Sequence, residues 1–243
     1  MIPTPSVLSD LHFKFHRMKK KSRSQTKKIL VIDIGGTHLK IHANGAGPTV
    51  KVDSGPTFTP TQMVDAVKRA TAKWDFEVIS IGYPGPVIHG QPASEPHNLG
   101  GGWVKFNFSK AFGRPVKIIN DAAMQALGGH RGGRSLFLGL GTGLGSALAI
   151  DNQVLPLELA HLPYKKNRSY EEYLGTAGLE RSGKKKWAKN VMEVVGLLKK
   201  ALLADYVVLG GGNARLLKTF PPNVELGENE NAIVGGFRLW DEK

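Results

Sequence analysis

Lys28-Ile29-Leu30-Val31-Ile32-Asp33-Ile34-Gly35-Gly36-Thr37-His38-Leu39-Lys40-Ile41-His42 is the stretch that decides the fold. Its apolar run up to Ile34 has the β-branched composition of a buried strand. Gly35-Gly36 breaks the run as a tight turn, and Leu39 to His42 alternates like a second strand. Asn44-Gly45 signals a hairpin, and Thr49 to Asp53 supplies a third strand. The pattern then returns. Leu136-Phe137-Leu138 runs into Gly139-Leu140-Gly141-Thr142-Gly143-Leu144-Gly145, followed by Ala147-Leu148-Ala149-Ile150. Topology is repeated here, not sequence. The pattern predicts an α/β protein of two lobes, with a glycine turn from each facing a shared cleft.

Between these units, residues 61–74 place Met63, Val64, Val67, Ala70 and Trp74 on one helical face. Val78 to Ile81 is a strand, and residues 83–106 are a proline-rich loop region. Val116 to Ile119 reads as a strand and Ala122 to Leu127 as a helix. Residues 186–204 form a long amphipathic helix with Trp187, Val191, Val194, Val195, Leu198 and Leu202 on its stripe. Tyr206 to Leu209 is a strand ending at Gly210-Gly211-Gly212, a helix follows from Asn213, and a last helix covers 230–240. The expected division is a basic, disordered tail over 1–27, an N-terminal lobe over 28–120 completed by a helix within 229–243, and a C-terminal lobe over 121–228.

The chain has 243 residues, 41% hydrophobic and 22% charged, as a globular protein does. It has no cysteine, which excludes disulfides, cysteine-ligated zinc, iron–sulfur clusters and a thiol nucleophile. The net charge is +13, and residues 1–28 hold eight Lys/Arg against one Asp. Such a balance points to an anionic partner. More than half of the charge is therefore confined to the tail, read as a solvated leader that touches nucleic acid only nonspecifically. Met18 offers a second start within it. The tail is acid-poor and serine-containing in the manner of a transit peptide, but it lacks the apolar segment of a secretory signal. No apolar run reaches the ~18 residues of a membrane span. A cytoplasmic protein with no membrane partner, assembled as a homodimer, is expected.

Six groups of residues suit chemistry. Gly35, Gly36 and Thr37 offer backbone and hydroxyl donors for phosphate oxygens, and Asp33 at the strand end suits Mg²⁺ held through water. Gly141, Thr142 and Gly143 form a second such turn, because alternating glycines weaken a sheet and close approach of a phosphate gives them a purpose. Neither turn has dinucleotide-fingerprint spacing, and Gly178 to Lys184 lacks the Ser/Thr of a P-loop. Asn120-Asp121 ends a strand and opens a helix; either Asn120 or Asp121 suits the N-cap, and spacing alone favours a cap over a base role for Asp121. Glu158 and His161 form either a sugar-hydroxyl pair or a surface pair, and spacing does not decide between them. Gly211, Gly212 and Asn213 admit a flat ligand or simply turn the chain. Lys184, Lys185 and Lys186 either bind an anionic chain or form the solvated start of a helix, where cations oppose the macrodipole and mildly disfavour the second reading.

Taken in order, these motifs resemble the ROK family of sugar kinases, within the actin-like ATPase (ribonuclease H-like) fold, and most of all its short, zinc-free polyphosphate glucokinases. Asp33 to Thr37 and Leu140 to Ser146 resemble the two phosphate motifs. Gly82 to Val87 is similar to the Gly-x-Pro-Gly segment, and His97-Asn98-Leu99 with Trp103 to the sugar loop. Asn120-Asp121-Ala122 resembles the catalytic motif, Glu158 and His161 the Glu-x-Gly-His segment with Ala160 in place of glycine, and Val208 to Asn213 the adenosine-side segment.

The resemblance implies that Asp121 is the base for a sugar 6-hydroxyl and that Asn98, Asn120, Glu158 and His161 hold the sugar. The same likeness offers Glu171 as a further sugar ligand, with Glu172 competing for the role. It implies Mg²⁺ as cofactor and no zinc, since the cysteine-rich zinc segment of most members is missing. It implies glucose or a related hexose as acceptor and polyphosphate or ATP as donor, with Lys184 to Lys186 as a polyphosphate rim. The rival readings are an ATP-dependent kinase for another hexose or an amino sugar, and a catalytically silent sugar- or nucleic-acid-binding protein.

Overall fold

The computed structural model describes residues 27–151, 153–228 and 230–241. The expectations for the tail, including its disorder and the start at Met18, lie outside the described residues. The first sheet begins with an antiparallel meander, β1 (Ile29–Ile34), β2 (His38–Ala43) and β3 (Val50–Asp53). Helix α1 (Pro60–Ala70) leads to β4 (Val78–Tyr83), parallel to β1. A small hairpin, β5 (Val87–Ile88) and β6 (Gln91–Pro92), and helix α2 (Phe108–Phe112) precede β7 (Val116–Asn120), parallel to β4. Helix α3 (Asp121–Gly129) then crosses to the second sheet.

There the meander is β8 (Arg134–Leu140), β9 (Leu144–Ile150) and β10 (Gln153–Leu157). A 3₁₀ turn at Leu159–His161, α4 (Tyr170–Leu174) and α5 (Thr176–Ala201) follow. Next come β11 (Tyr206–Gly210), a 3₁₀ turn at Gly212–Leu216, β12 (Val224–Leu226) and α6 (Asn231–Arg238). The two five-stranded sheets have the same order, β3-β2-β1-β4-β7 and β10-β9-β8-β11-β12. In each, the central strand is the one that enters the glycine turn. The expected duplication of topology is therefore present strand for strand.

Burial follows from patterning. All six residues of β1 are buried, as a strand covered on both faces requires, and β2 alternates. The N-lobe core packs Leu30, Ile32 and Ile81 against Met63, Val67 and Trp103. The C-lobe core packs Leu136 and Leu138 against Trp187, Val191 and Val195 of α5. Helix α1 is shorter than the expected 61–74. A capping box between Thr59 and Gln62 starts it at Pro60, and the Thr71 hydroxyl, donating to the Val67 carbonyl at 2.8 Å, marks its end.

Two helix expectations are corrected. Helix α5 begins ten residues before the predicted Lys186, at Thr176, because residues 176–182 are helical without an apolar stripe to announce them. Gly183 (φ +74°) breaks it there, and the predicted amphipathic part is its second half. The segment from Asn213 makes only a 3₁₀ turn.

Helix α3 touches both sheets. Met124 joins Ile29, Val31 and Val78 of the first sheet with Ile233 of α6. Ala122, Ala123 and Ala126 pack on Phe137, Ala147 and Val208 of the second. Helices α3 and α6 cross with backbones in contact. A Cβ on Gly128 would lie 1.8 Å from the Asn231 carbonyl oxygen, and one on Gly235 1.8 Å from that of Met124. The N-terminus of α3 is thereby fixed at the seam between the sheets, where both glycine turns emerge.

Candidate active site

A cleft of about 380 Å³ opens at that seam. It brings together most of the residues that the sequence singles out. Gly35 and Gly36 line it from the first sheet, and Gly141, Thr142 and Gly143 from the second. Asn98, Asn120, Asp121, Glu158, His161 and Glu171 stand between them, with Gly211 at one edge. Segments far apart in sequence converge there only because the two sheets present equivalent ends to one another.

Asn120 and Asp121 divide the work that spacing left undecided. Asn120 is the helix cap: its Oδ1 accepts from the Ala123 N–H at 3.1 Å, and its Nδ2 donates to the Gly85 carbonyl at 3.1 Å. Asp121 is therefore not needed as N-cap, though its Oδ1 accepts from the Ala122 N–H at 2.7 Å. Burial in the cleft pushes its carboxyl up to about 7; the charge of Asp33 and, more weakly, Glu158 act in the same direction, and the Ala122 hydrogen bond opposes them. A carboxyl tuned near neutrality is suited to take a proton and give it back at physiological pH.

The glycine turns are built differently from one another. The first is held by Gly35 N–H donating to the His38 carbonyl at 3.0 Å and by the Ser54 hydroxyl donating to the Gly35 carbonyl at 2.7 Å. A Cβ on Gly36 would meet the Asn98 Cβ at 3.1 Å, so the first turn and the sugar-loop residue are in contact. Thr37 is exposed and does not line the cleft. In the second, the outer glycines are strand residues, not part of the turn: Gly139 pairs with Gly145, and their missing side chains admit the Phe137 ring and Ala122 Cβ. Only Gly141 to Gly143 form the turn. Its Gly141 carbonyl accepts from Thr176 N–H (3.0 Å), Thr176 Oγ1 (3.1 Å) and Asn213 Nδ2 (3.1 Å).

Asn213 thus anchors the second turn from behind and neither caps a helix nor lines the cleft. Gly212 lies in an adjoining cavity of about 380 Å³, which shares Gly211, Gln125 and Phe137 with the cleft. Glu171 and Glu172 separate cleanly. Glu171 Oε2 accepts from the Leu144 N–H at 3.2 Å and covers Gly143, whereas Glu172 closes the Ser169 capping box of α4. His161 Nε2 stands 3.6 Å from Glu158 Oε2, both side chains more than half exposed. Lys184, Lys185 and Lys186 are exposed on α5 just past its break and line neither cavity.

Asp33 is buried at the end of β1, where Lys40 Nζ donates to its Oδ2 at 3.0 Å. Among the described residues no group of three or more His, Asp or Glu side chains is arranged to hold a metal. Asp33 lines neither the cleft nor the adjoining cavity, so it would hold a Mg²⁺ that arrives with the phosphates only through the ion's water.

Three functional candidates escape the sequence reading. Lys40 is a cation beside the first turn and a wall of the adjoining cavity. Gln125 lies one turn after Asp121 on α3 and lines both cavities, which i, i+4 spacing on the helix would have indicated. His97 lines the cleft next to Asn98; the sugar-loop resemblance includes it but gives it no role.

Comparison with known proteins bears on the family and the fold. The family model described as ROK family matches residues 29–156. The polyphosphate glucokinase of Mycobacterium tuberculosis (strain ATCC 25618 / H37Rv) is 28% identical over 234 residues, spanning 84% of this chain and 83% of that protein. Among solved structures, the inorganic polyphosphate/ATP-glucomannokinase from Arthrobacter sp. strain KM superposes with a TM-score of 0.69 at 23% identity, covering 87% of this chain and 97% of that one. A ROK family glucokinase from Streptomyces griseus in complex with glucose and AMPPNP gives 0.67 at 19% identity, covering 87% and 98%. These likenesses place the two-sheet architecture in the actin-like ATPase fold of such kinases.

Proposed function

The chain belongs to the ROK family, and on that premise we propose that it transfers a phosphoryl group from polyphosphate, and also from ATP, to the 6-hydroxyl of glucose, with Asp121 as general base. The observation that carries this reading is the position of Asp121: at the seam, in one cleft with both glycine turns, its carboxyl raised to about 7. The curated relative named polyphosphate glucokinase supports the choice of acceptor and donor.

In this mechanism Asn98, Asn120, Glu158, His161 and Glu171 hold the hexose hydroxyls. Asp121 orients the 6-hydroxyl and accepts its proton as the oxygen attacks the terminal phosphorus. The turns at Gly35–Gly36 and Gly141–Gly143 let the donor's phosphates approach the backbone, and Lys40 adds a positive charge beside the first turn. Asp33 is the residue to hold Mg²⁺, which when bound with the phosphates offsets their charge. Positioning and electrostatics are most of what such a transfer asks of a protein. Lys184 to Lys186 line neither cavity, so they suit a donor long enough to leave the cleft, which is the specific reason to rank polyphosphate first. The molecule works as a homodimer in the cytoplasm on this reading.

A coupled assay for glucose 6-phosphate tests it, run with polyphosphate and then with ATP, on wild type and Asp121→Asn. Product from polyphosphate is expected, with turnover falling ~10²–10⁴-fold in the variant while glucose still binds by calorimetry. Product from neither donor, or full turnover without the carboxylate, would sink the proposal.

A further inference from the structure

A second cavity, of about 870 Å³, lies at the opposite end of α3 from the cleft. None of its walls belongs to the machinery described above. They come from β7 of the first sheet, the end of α3, the β9–β10 hairpin of the second sheet and the end of α6. The volume is in the range of small-molecule sites, ~300–1,000 Å³.

Its charged lining is mixed: Lys117, Arg131 and Arg238 stand beside Asp151 and Asp241. The three cations are already held in place. Arg238 Nη1 donates to the carbonyls of Leu127 (2.7 Å), Gly128 (3.0 Å) and His130 (2.9 Å), and none of its described hydrogen bonds uses Nη2 or Nε. Arg131 pairs with Glu225 at 2.6 Å and lies over the Tyr206 ring. Lys117 Nζ donates to the Leu239 carbonyl at 2.6 Å and sits over the Trp240 ring. Fixed cations lose little freedom when an anion docks.

His130 forms the buried part of the wall. It lines the cavity and is only 3% exposed. Its Nδ1 lies 2.8 Å from the Ser135 hydroxyl, while its Nε2 has no partner among the described residues. Burial, then the charge of Arg238, hold the imidazole below its usual pKa, against the weaker opposing charge of Asp151.

The mixture of groups narrows the ligand. Guanidinium groups match the several acceptor oxygens of a phosphate monoester. The exposed carboxylates of Asp151 and Asp241 can accept from sugar hydroxyls, donors that an ionised phosphate lacks. Ile119, Leu127 and Val154 offer the carbon skeleton an apolar floor. We infer that this cavity is a binding site for a sugar monophosphate, separate from the catalytic cleft.

Calorimetric titration with ribose 5-phosphate tests the site, using wild type, Arg131→Ala, Val154→Trp and Asp121→Asn. The Arg131 side chain is 62% exposed, so its variant keeps the fold. The indole introduced by Val154→Trp would fill the cavity from the sheet side. Binding to wild type and Asp121→Asn is expected to be equal, and at least about tenfold weaker, ~1.4 kcal/mol, in each of the other two. Inorganic phosphate and ribose alone are expected to bind more weakly than the ester. No binding to wild type, unchanged affinity in both cavity variants, or loss in Asp121→Asn alone would overturn the inference. Inorganic phosphate binding as tightly as ribose 5-phosphate would overturn the sugar ester as ligand.

Discussion

Asp121 shows how one residue sets activity against stability. Its folded carboxyl is raised to about 7 from an ordinary 3.8, so the folded state holds a proton that the unfolded chain has lost. Stability is therefore undiminished below about pH 4, the unfolded carboxyl's range, falls as pH rises toward 7, and stays reduced above it. Asp121→Asn removes the charged form. Its melting temperature is expected to match wild type at low pH and exceed it at pH 8. Because water reaches the cleft and screens part of the burial, the gain is about 2 kcal/mol. The same proton governs turnover with the opposite sign: kcat/KM should rise with pH through a limb near 7, since the base must be ionised to act. A flat profile, or a variant no more stable at pH 8, would contradict the assignment. Glu171 and Glu172 separate at this scale too. Glu171→Ala is expected to raise the KM for glucose severalfold. Glu172→Ala is expected to leave KM alone and cost about 1 kcal/mol of stability, through the lost capping box.

At the scale of elements, glycines that look alike in sequence have distinct work. Gly141 has open space where a Cβ would project, whereas at Gly128 that Cβ would overlap the Asn231 carbonyl oxygen at 1.8 Å. Gly141→Ala is thus expected to keep the melting temperature and lose turnover, as a methyl group intrudes on the donor. Gly128→Ala is expected to lose ~3 kcal/mol or more by forcing α3 and α6 apart. Calorimetric melts with the coupled assay check both. The contrast also shows what sequence could reveal. The strand-turn-strand units were legible because β-branched runs and glycine turns carry strong local signals, and their repetition implied two like sheets. The first half of α5 and the α3–α6 crossing were not, since one lacks a periodic apolar stripe and the other depends on residues 128 and 235 meeting across the fold. Asn120 as the cap was legible only as one of two options, for either side chain can reach the same N–H groups.

For the whole molecule the decisive property is where the positive charge stands relative to the cleft. The net charge of +13 is concentrated in the N-terminal residues, yet Lys184, Lys185 and Lys186 lie in the folded body, exposed at the break in α5. They line neither the cleft nor its neighbour, so a donor confined to those spaces does not touch them. A polyanion longer than the cleft can leave it and run over this surface, releasing counterions as it does so. The sequence identified these lysines, but their distance from the catalytic residues depends on how α5 packs on the second sheet. Replacing all three by Gln is expected to raise the KM for polyphosphate severalfold and leave the KM for ATP and kcat unchanged. The salt dependence should move with it: log KM for polyphosphate rises with log salt in wild type, and the slope flattens by up to ~2–3 in the triple variant if each lysine meets one phosphate. Equal slopes in the two proteins would show that the long donor follows another route, and equal losses with ATP would show that the lysines act on the fold rather than on the chain they were proposed to hold.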